Sequence, residues 1–299
     1  MSLSVVQEGS VSLGKTTVRV SIPLLLLLPS SILFFVFFVL PFATLAVNSF
    51  YDYGRLTGII QVFTLKNYER ILTDASYLAI IGRTLRLAFL TSCITLLIGY
   101  PIALYLTIAS ARQRAWIILF ILSPLLVSVI VRTFGWLVIF GSNGLIEAGL
   151  GLVGIKSASI LHTEGAVIAG LANVLLPFLV LSVATSLQAI DRAVLLAAAS
   201  LGASPWRVFR AVTIPLSLPG ILAGLLLVFS LASSSFVTPA LLGGSDYKVM
   251  SVMIYQQALV LQNWPLAAAL ALILVLMVLL VLLIQTRVIE GGKYRVVFH

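Results

Sequence analysis

Residues 9–16 read Gly-Ser-Val-Ser-Leu-Gly-Lys-Thr, a full match to the phosphate-cradling pattern G-x-x-x-x-G-K-[ST]. That chemistry needs a buried strand before the glycines, a βαβ helix after them and an acid to hold magnesium. Only eight residues precede Gly9, and an apolar run opens shortly after Thr16, so no nucleotide is expected there. The single cysteine, Cys93, excludes an intramolecular disulfide and a thiolate cluster. His162 and His299 cannot build a metal site by themselves, and neither is given a catalytic role. No Asp or Glu interrupts the apolar cores; Arg132 lies inside one and Arg86 at the edge of another. Ion-coupled carriers place ionisable groups at mid-membrane, and enzymes need a nucleophile or acid with its base. Both patterns are missing, so no catalytic residue, metal or resident cofactor is expected.

The elements around these residues explain the shortage. Of 299 residues 61% are apolar and 9% charged, whereas soluble domains are about half apolar and roughly a quarter charged. A soluble or a disordered protein is excluded. Six apolar stretches, about 22–47, 84–107, 115–140, 166–187, 219–237 and 266–284, each approach the ~20 residues that a helical crossing requires. The fold class is all-α, a polytopic membrane protein with six transmembrane helices, kinked at Pro29, Pro41, Pro124 and Pro177. The net charge of +9 marks loop ends rather than a nucleic-acid surface. Arg112 and Arg114 in the short 107–114 loop place that loop, and both termini, in the cytoplasm. The whole of 1–299 reads as one transmembrane domain. It has a cytoplasmic N-terminal tail (1–21), a cytoplasmic coupling loop (188–218) and a cytoplasmic C-terminal tail (285–299). Loops 48–81 and 141–165 fall outside, the second with a short interfacial helix.

The connection after the fourth stretch is the most informative. Asp191 can cap a helix over Arg192–Leu201, rich in the strong helix formers Ala and Leu. Gly202 suits the left-handed position past its end, and Ser204-Pro205 is a second N-cap with proline at the first helical position. The second helix sets Trp206, Phe209 and Val212 on one stripe and Arg207 and Arg210 on another, and Ile214-Pro215 is expected to stop it. Two capped helices with a sharp bend, apolar on one face and basic on another, suit a partner's groove; a hairpin lying on lipid headgroups is the other reading.

The segment LLAAASLGASPWRVFRAVTIPLSLPGILAG resembles the signature of inner-membrane permease subunits of ATP-binding-cassette importers: Glu-Ala-Ala, three residues, Gly, nine residues, then Ile-x-Leu-Pro. Ala197, Ala198 and Gly202 match, the closing tetrad is Val212-Thr213-Ile214-Pro215, and Leu196 takes the place of the glutamate. The pieces FTLKNYERIL, GYPIALYL, VRTFGW, LHTEGAVIAGL, LPFLVL, FVTPALLGG and NWPLAAAL are similar to permeases of the spermidine/putrescine type, the first of the usual pair. The resemblance implies a bent cytoplasmic coupling helix docked into an ATPase, with Ala197, Ala198, Gly202, Ala203, Ser204, Trp206, Arg207, Phe209 and Pro215 at the contact. It implies a second, related permease, two ATPase subunits that hold ATP and magnesium, and an extracytoplasmic solute-binding protein. The location would be the bacterial inner membrane, with lipid around the chain and no nucleic acid.

For the solute, polar residues on apolar helices are the candidates: Thr133, Trp136 and Asn143 around the third span, and Ser230, Ser234, Thr238, Asp246 and Tyr255 around and beyond the fifth. The competing reading is that hydroxyls satisfy carbonyls inside the bundle. Gly220 and Gly224 form a GxxxG pair that could pack within the chain or against a second permease. The expected function is half of the pathway for a small polar, polyamine-like solute, driven through the 191–214 loop. A passive channel and a non-transporting assembly subunit are the alternatives.

Overall fold

The computed structural model describes residues 21–142, 144–152, 160–245 and 247–291. The chain divides into two compact units, one ending at Asn48 and one beginning at Ser49. Among the described residues six helices are long and apolar enough to cross a membrane.

The first unit carries α1 (Ser21–Phe34), a π-helical turn (Phe35–Val39) and α2 (Leu40–Asn48). The wide turn stands directly before a proline: Leu40 donates its N–H to the Phe35 carbonyl, five residues back, and Pro41 follows. A proline ring clashes with the carbonyl four residues before it and brings no N–H, and widening the turn moves that carbonyl aside.

The second unit opens with a hairpin, β1 (Tyr51–Gly54) against β2 (Gly58–Phe63), antiparallel with Asp52 opposite Ile60 and Gly54 opposite Gly58. Then come α3 (Lys66–Thr73) and α4 (Ala75–Ile108). The 34 residues of α4 would span about 51 Å at ~1.5 Å per residue, well beyond a ~30 Å hydrocarbon core. Ser110 and Gln113 form a reciprocal capping box that starts α5 (Ala111–Leu126). After it come α6 (Val129–Phe140), α7 (Leu145–Leu152) and α8 (Glu164–Gln188).

The apolar run 115–140, expected as one span, is broken at Val127-Ser128, where the backbone is extended. Pro124 cannot donate to the Phe120 carbonyl, and the Ser123 hydroxyl takes that acceptor at 2.8 Å. Arg132 turns its guanidinium back across the break onto the Pro124 carbonyl.

The elbow follows: α9 (Arg192–Ser200), α10 (Pro205–Val208), a π-helical turn (Phe209–Thr213) and α11 (Ile214–Ser234). Here the expected stop at Ile214-Pro215 is overturned, since helix runs unbroken from Pro205 to Ser234. The device is that of the first unit: Ile214 donates to the Phe209 carbonyl, five residues back, immediately before Pro215. Last come α12 (Val237–Leu242), α13 (Met250–Tyr255), a third π-helical turn (Gln256–Val260) and α14 (Trp264–Gly291).

Helices α4, α8 and α11 pack together as the centre of this unit, burying Leu87, Val167, Leu179, Val183 and Val228. The GxxxG pair belongs to that packing. A Cβ on Gly220 would lie 2.4 Å from the Ser186 Cβ and 2.6 Å from the Ser182 carbonyl oxygen, and one on Gly224 would lie 3.1 Å from Leu179 Cδ1. A second cluster joins α3, α4, α13 and α14 around Ile71, Tyr77, Met250 and Leu270.

Candidate functional site

The elbow is built from local capping. Asp191 Oδ1 accepts from the Ala193 N–H at 2.8 Å and starts α9. At its other end Gly202 has φ +80°, donates to the Ala199 carbonyl at 2.9 Å, and Ala203 donates to the Ala198 carbonyl at 3.2 Å. These are the paired bonds of a Schellman motif, which turns a chain out of a helix through a left-handed residue. Ala198, Gly202 and Ala203 are thus three parts of one turn. Ser204 Oγ then accepts from the Arg207 N–H at 3.4 Å, with Pro205 first in the new helix. Ala197 and Pro215 sit one on each side of this turn and of the π-helical turn.

What the elbow displays is apolar and basic. Leu196, Leu201 and Trp206 are 67%, 89% and 68% exposed, and Arg192, Arg207 and Arg210 are exposed beside them. Trp206 leans on Phe209, ring centres 5.4 Å apart, and Phe209 meets Tyr100 of α4 edge-on at 6.1 Å. Next to the elbow lies a cleft of about 720 Å³ lined by Thr107, Arg114, Gln188, Arg192, Leu195 and Leu196, among others.

The solute-path candidates among the described residues make local contacts. Thr133 is buried and its hydroxyl donates to the Val129 carbonyl at 2.7 Å; Ser234 is exposed and donates to Ser230 at 3.0 Å. Such back-bonding is the use of hydroxyls inside a bundle. Trp136 stacks on Phe140 at 4.9 Å, and its indole and the buried Thr238 both approach Gly170 of α8. Tyr255 packs against Phe236 in a tilted arrangement, ring centres 4.6 Å apart. Asn143 and Asp246 lie outside the described residues.

At the end of α8 away from the elbow stands a group that spacing does not betray. Glu164 accepts from Arg86 of α4 at 2.5 Å through one carboxylate oxygen and from the Tyr247 hydroxyl at 3.1 Å through the other. Burial, and then the Glu164 charge, push the Tyr247 phenol well above its ordinary range. Met250 N–H donates to the buried Thr84 hydroxyl at 2.9 Å. At the hairpin, Lys66 holds Asp52 at 2.8 Å, which lowers the carboxyl and raises the ammonium.

No family model matches the chain. It is 31% identical over 253 residues to the spermidine/putrescine transport system permease protein PotB of Escherichia coli, covering 84% of this chain and 92% of the relative. The chain belongs to the permease proteins of ABC transporters. This permease is also 31% identical to the inner membrane ABC transporter permease protein YdcU of E. coli, over 77% of this chain and 78% of that one. Similarity to the molybdenum transport system permease protein ModB of Mycobacterium bovis stands at 30% over 72% of the chain and 81% of the relative. In fold, the permease overlays a chain of a bacterial alginate ABC transporter solved with its pentasaccharide-bound periplasmic protein. The TM-score is 0.76 at 18% identity, over 91% of this chain and 94% of that one. An all-α membrane protein with six spans and an ABC-permease fold is therefore the architecture of this chain.

Proposed function

We propose that this permease forms half of the translocation pathway of an ATP-driven importer, working through the 191–214 elbow. It sits in the bacterial inner membrane with both termini and the elbow in the cytoplasm, beside a second, related permease. Two ATPase subunits below bind ATP and magnesium, and a solute-binding protein docks on the far side. The observation that carries this reading is the elbow itself. Its two helices are capped independently of the bundle and present Leu196, Leu201 and Trp206 bare. Large apolar side chains displayed around a rigid turn are anchors in search of a pocket. The exposed arginines add a rim that steers towards acidic residues.

In this reading the aromatics fill the ATPase groove, Arg207 meets its rim and Gly202 holds the turn. Closure of the ATPase pair reaches the spans because α10 continues without a break into α11. Ala197, Ala198, Ala203, Ser204 and Pro215 shape that handle. A small polar solute, polyamine-like in keeping with the PotB relatives, passes near Thr133, Trp136, Asn143, Ser230, Ser234, Thr238, Asp246 and Tyr255. Co-purification tests the proposal. An ATPase subunit comes down with the wild-type chain and is lost after Trp206→Asp; retention with full ATP-driven uptake would end it.

A further inference from the structure

Four polar contacts converge where the second, fourth and fifth spans end on the side away from the elbow. His162 takes a left-handed backbone, φ +67°, uncommon for a non-glycine residue although histidine is among those that tolerate it best. In that conformation its N–H donates to the Leu242 carbonyl at 3.0 Å. Gly244, left-handed as well at φ +68°, packs so tightly here that a Cβ would stand 2.5 Å from His162 Nδ1. Two residues beyond His162, Glu164 divides its carboxylate between Arg86 and Tyr247. Thr84 then receives the Met250 N–H. The strap of residues 243–245 and 247–250 is thereby tied beside its start at Leu242, at Tyr247, and at its end, Met250. Beneath it α4, α8 and α11 are already locked by close apolar packing, so the ion pair is not needed to hold those helices together. What it adds is the placement of the strap.

We infer that Glu164 is a positioning residue: by pinning Tyr247 it fixes the strap over the ends of the second and fourth spans, and so shapes the surface that receives the solute-delivering protein. The inference rests on the importer reading, in which this side faces that protein. Neutralising Glu164 leaves the elbow and the three-helix centre untouched, so it weakens reception without weakening ATP turnover.

The experiment uses the assembled transporter in lipid nanodiscs and reads ATPase rate against concentration of the loaded binding protein. Glu164→Gln raises the half-saturating concentration by about tenfold with a maximal rate within about twofold of wild type, and Tyr247→Phe shifts it the same way by about threefold. The exchange Arg86→Glu with Glu164→Arg brings it back to within about threefold of wild type, as a direct pair requires. An unchanged half-saturating concentration in both single variants overturns the inference, and so does a fall in maximal rate that the exchange does not repair. If Glu164→Gln does not assemble, Tyr247→Phe and the exchange decide alone. A wild-type complex that the binding protein does not stimulate sinks the importer reading itself, an outcome distinct from stimulation that Glu164 does not influence.

Discussion

The phenol oxygen of Tyr100 on α4 stands 3.1 Å from the hydroxyl of Ser217 on α11. The same Tyr100 ring receives Phe209 of the elbow edge-on at 6.1 Å. Ser217 is fully buried and also donates to the Ile214 carbonyl at 3.1 Å. The root of the elbow is therefore keyed to the second span by one aromatic contact and one hydrogen bond, beside the covalent path into the fifth.

Cutting that key should loosen coupling more than folding. Phe209→Ala removes the ring contact, and Tyr100→Phe removes only the hydrogen bond, worth about 0.5–1.5 kcal/mol. Tyr100→Phe should keep its ATPase subunits, and Phe209→Ala, whose ring also belongs to the proposed ATPase contact, is compared per ATPase subunit retained. The ratio of ATP hydrolysed to solute taken up, measured in proteoliposomes, should rise in both and more in Phe209→Ala. A ratio equal to wild type in Phe209→Ala would show that the second span receives nothing through this contact.

Gly202 isolates backbone conformation from packing. A Cβ there meets nothing within 4 Å, so the left-handed φ of +80° is the sole obstacle to a side chain. Left-handed backbone costs ordinary residues about 1–2 kcal/mol, with asparagine well tolerated and β-branched residues worst. Gly202→Asn should preserve uptake, whereas Gly202→Val should distort the turn and leave hydrolysis uncoupled from uptake. Equal uptake in the two variants would count against a rigid elbow.

What the sequence made legible is what chemistry between neighbours decides. Asp191, Gly202 and Ser204-Pro205 each act within five residues, and all three do in the structure what their types dictate. The break at Val127-Ser128 was hidden because no glycine or proline stands there; Pro124 three residues earlier weakens the helix and Arg132 secures the break from the far side. The continuation through Pro215 was equally hidden, since a π-helical turn that makes room for a proline has no composition of its own. Glu164, Arg86 and Tyr247 are distant in the chain, and only the folded packing brings them together. The hydroxyls nominated for solute were legible as polar residues on apolar helices, but that pattern does not separate a pathway from back-bonding to the helix.

The glycine pair on α11 should show a graded response. Alanine at Gly220 places its methyl 2.4 Å from Ser186 Cβ and against the Ser182 backbone carbonyl, atoms that cannot step aside. Alanine at Gly224 meets Leu179 Cδ1 at 3.1 Å and its Cα at 3.3 Å, looser contacts than those at Gly220. Overpacking of this kind costs about 1–3 kcal/mol. Gly220→Ala should lower the midpoint of thermal unfolding in detergent by more than Gly224→Ala. The reverse order would contradict the packing of α8 on α11.

Arg132 should prove to be a structural brace. Its guanidinium serves the Pro124 carbonyl across a stretch of extended backbone within the third apolar run, where an unpaired carbonyl has no water to turn to. Arg132→Leu keeps the apolar bulk but strands that acceptor, which costs about 1–3 kcal/mol. Arg132→Lys can still reach with a single donor and should lose less. Thermal unfolding in detergent should therefore rank wild type above Arg132→Lys and Arg132→Lys above Arg132→Leu. The loss should vanish in a Pro124→Ala background if alanine there restores the Phe120 acceptor and heals the helix across Val127-Ser128. A loss of undiminished size in that background would mean that the break at Val127-Ser128 does not depend on Pro124.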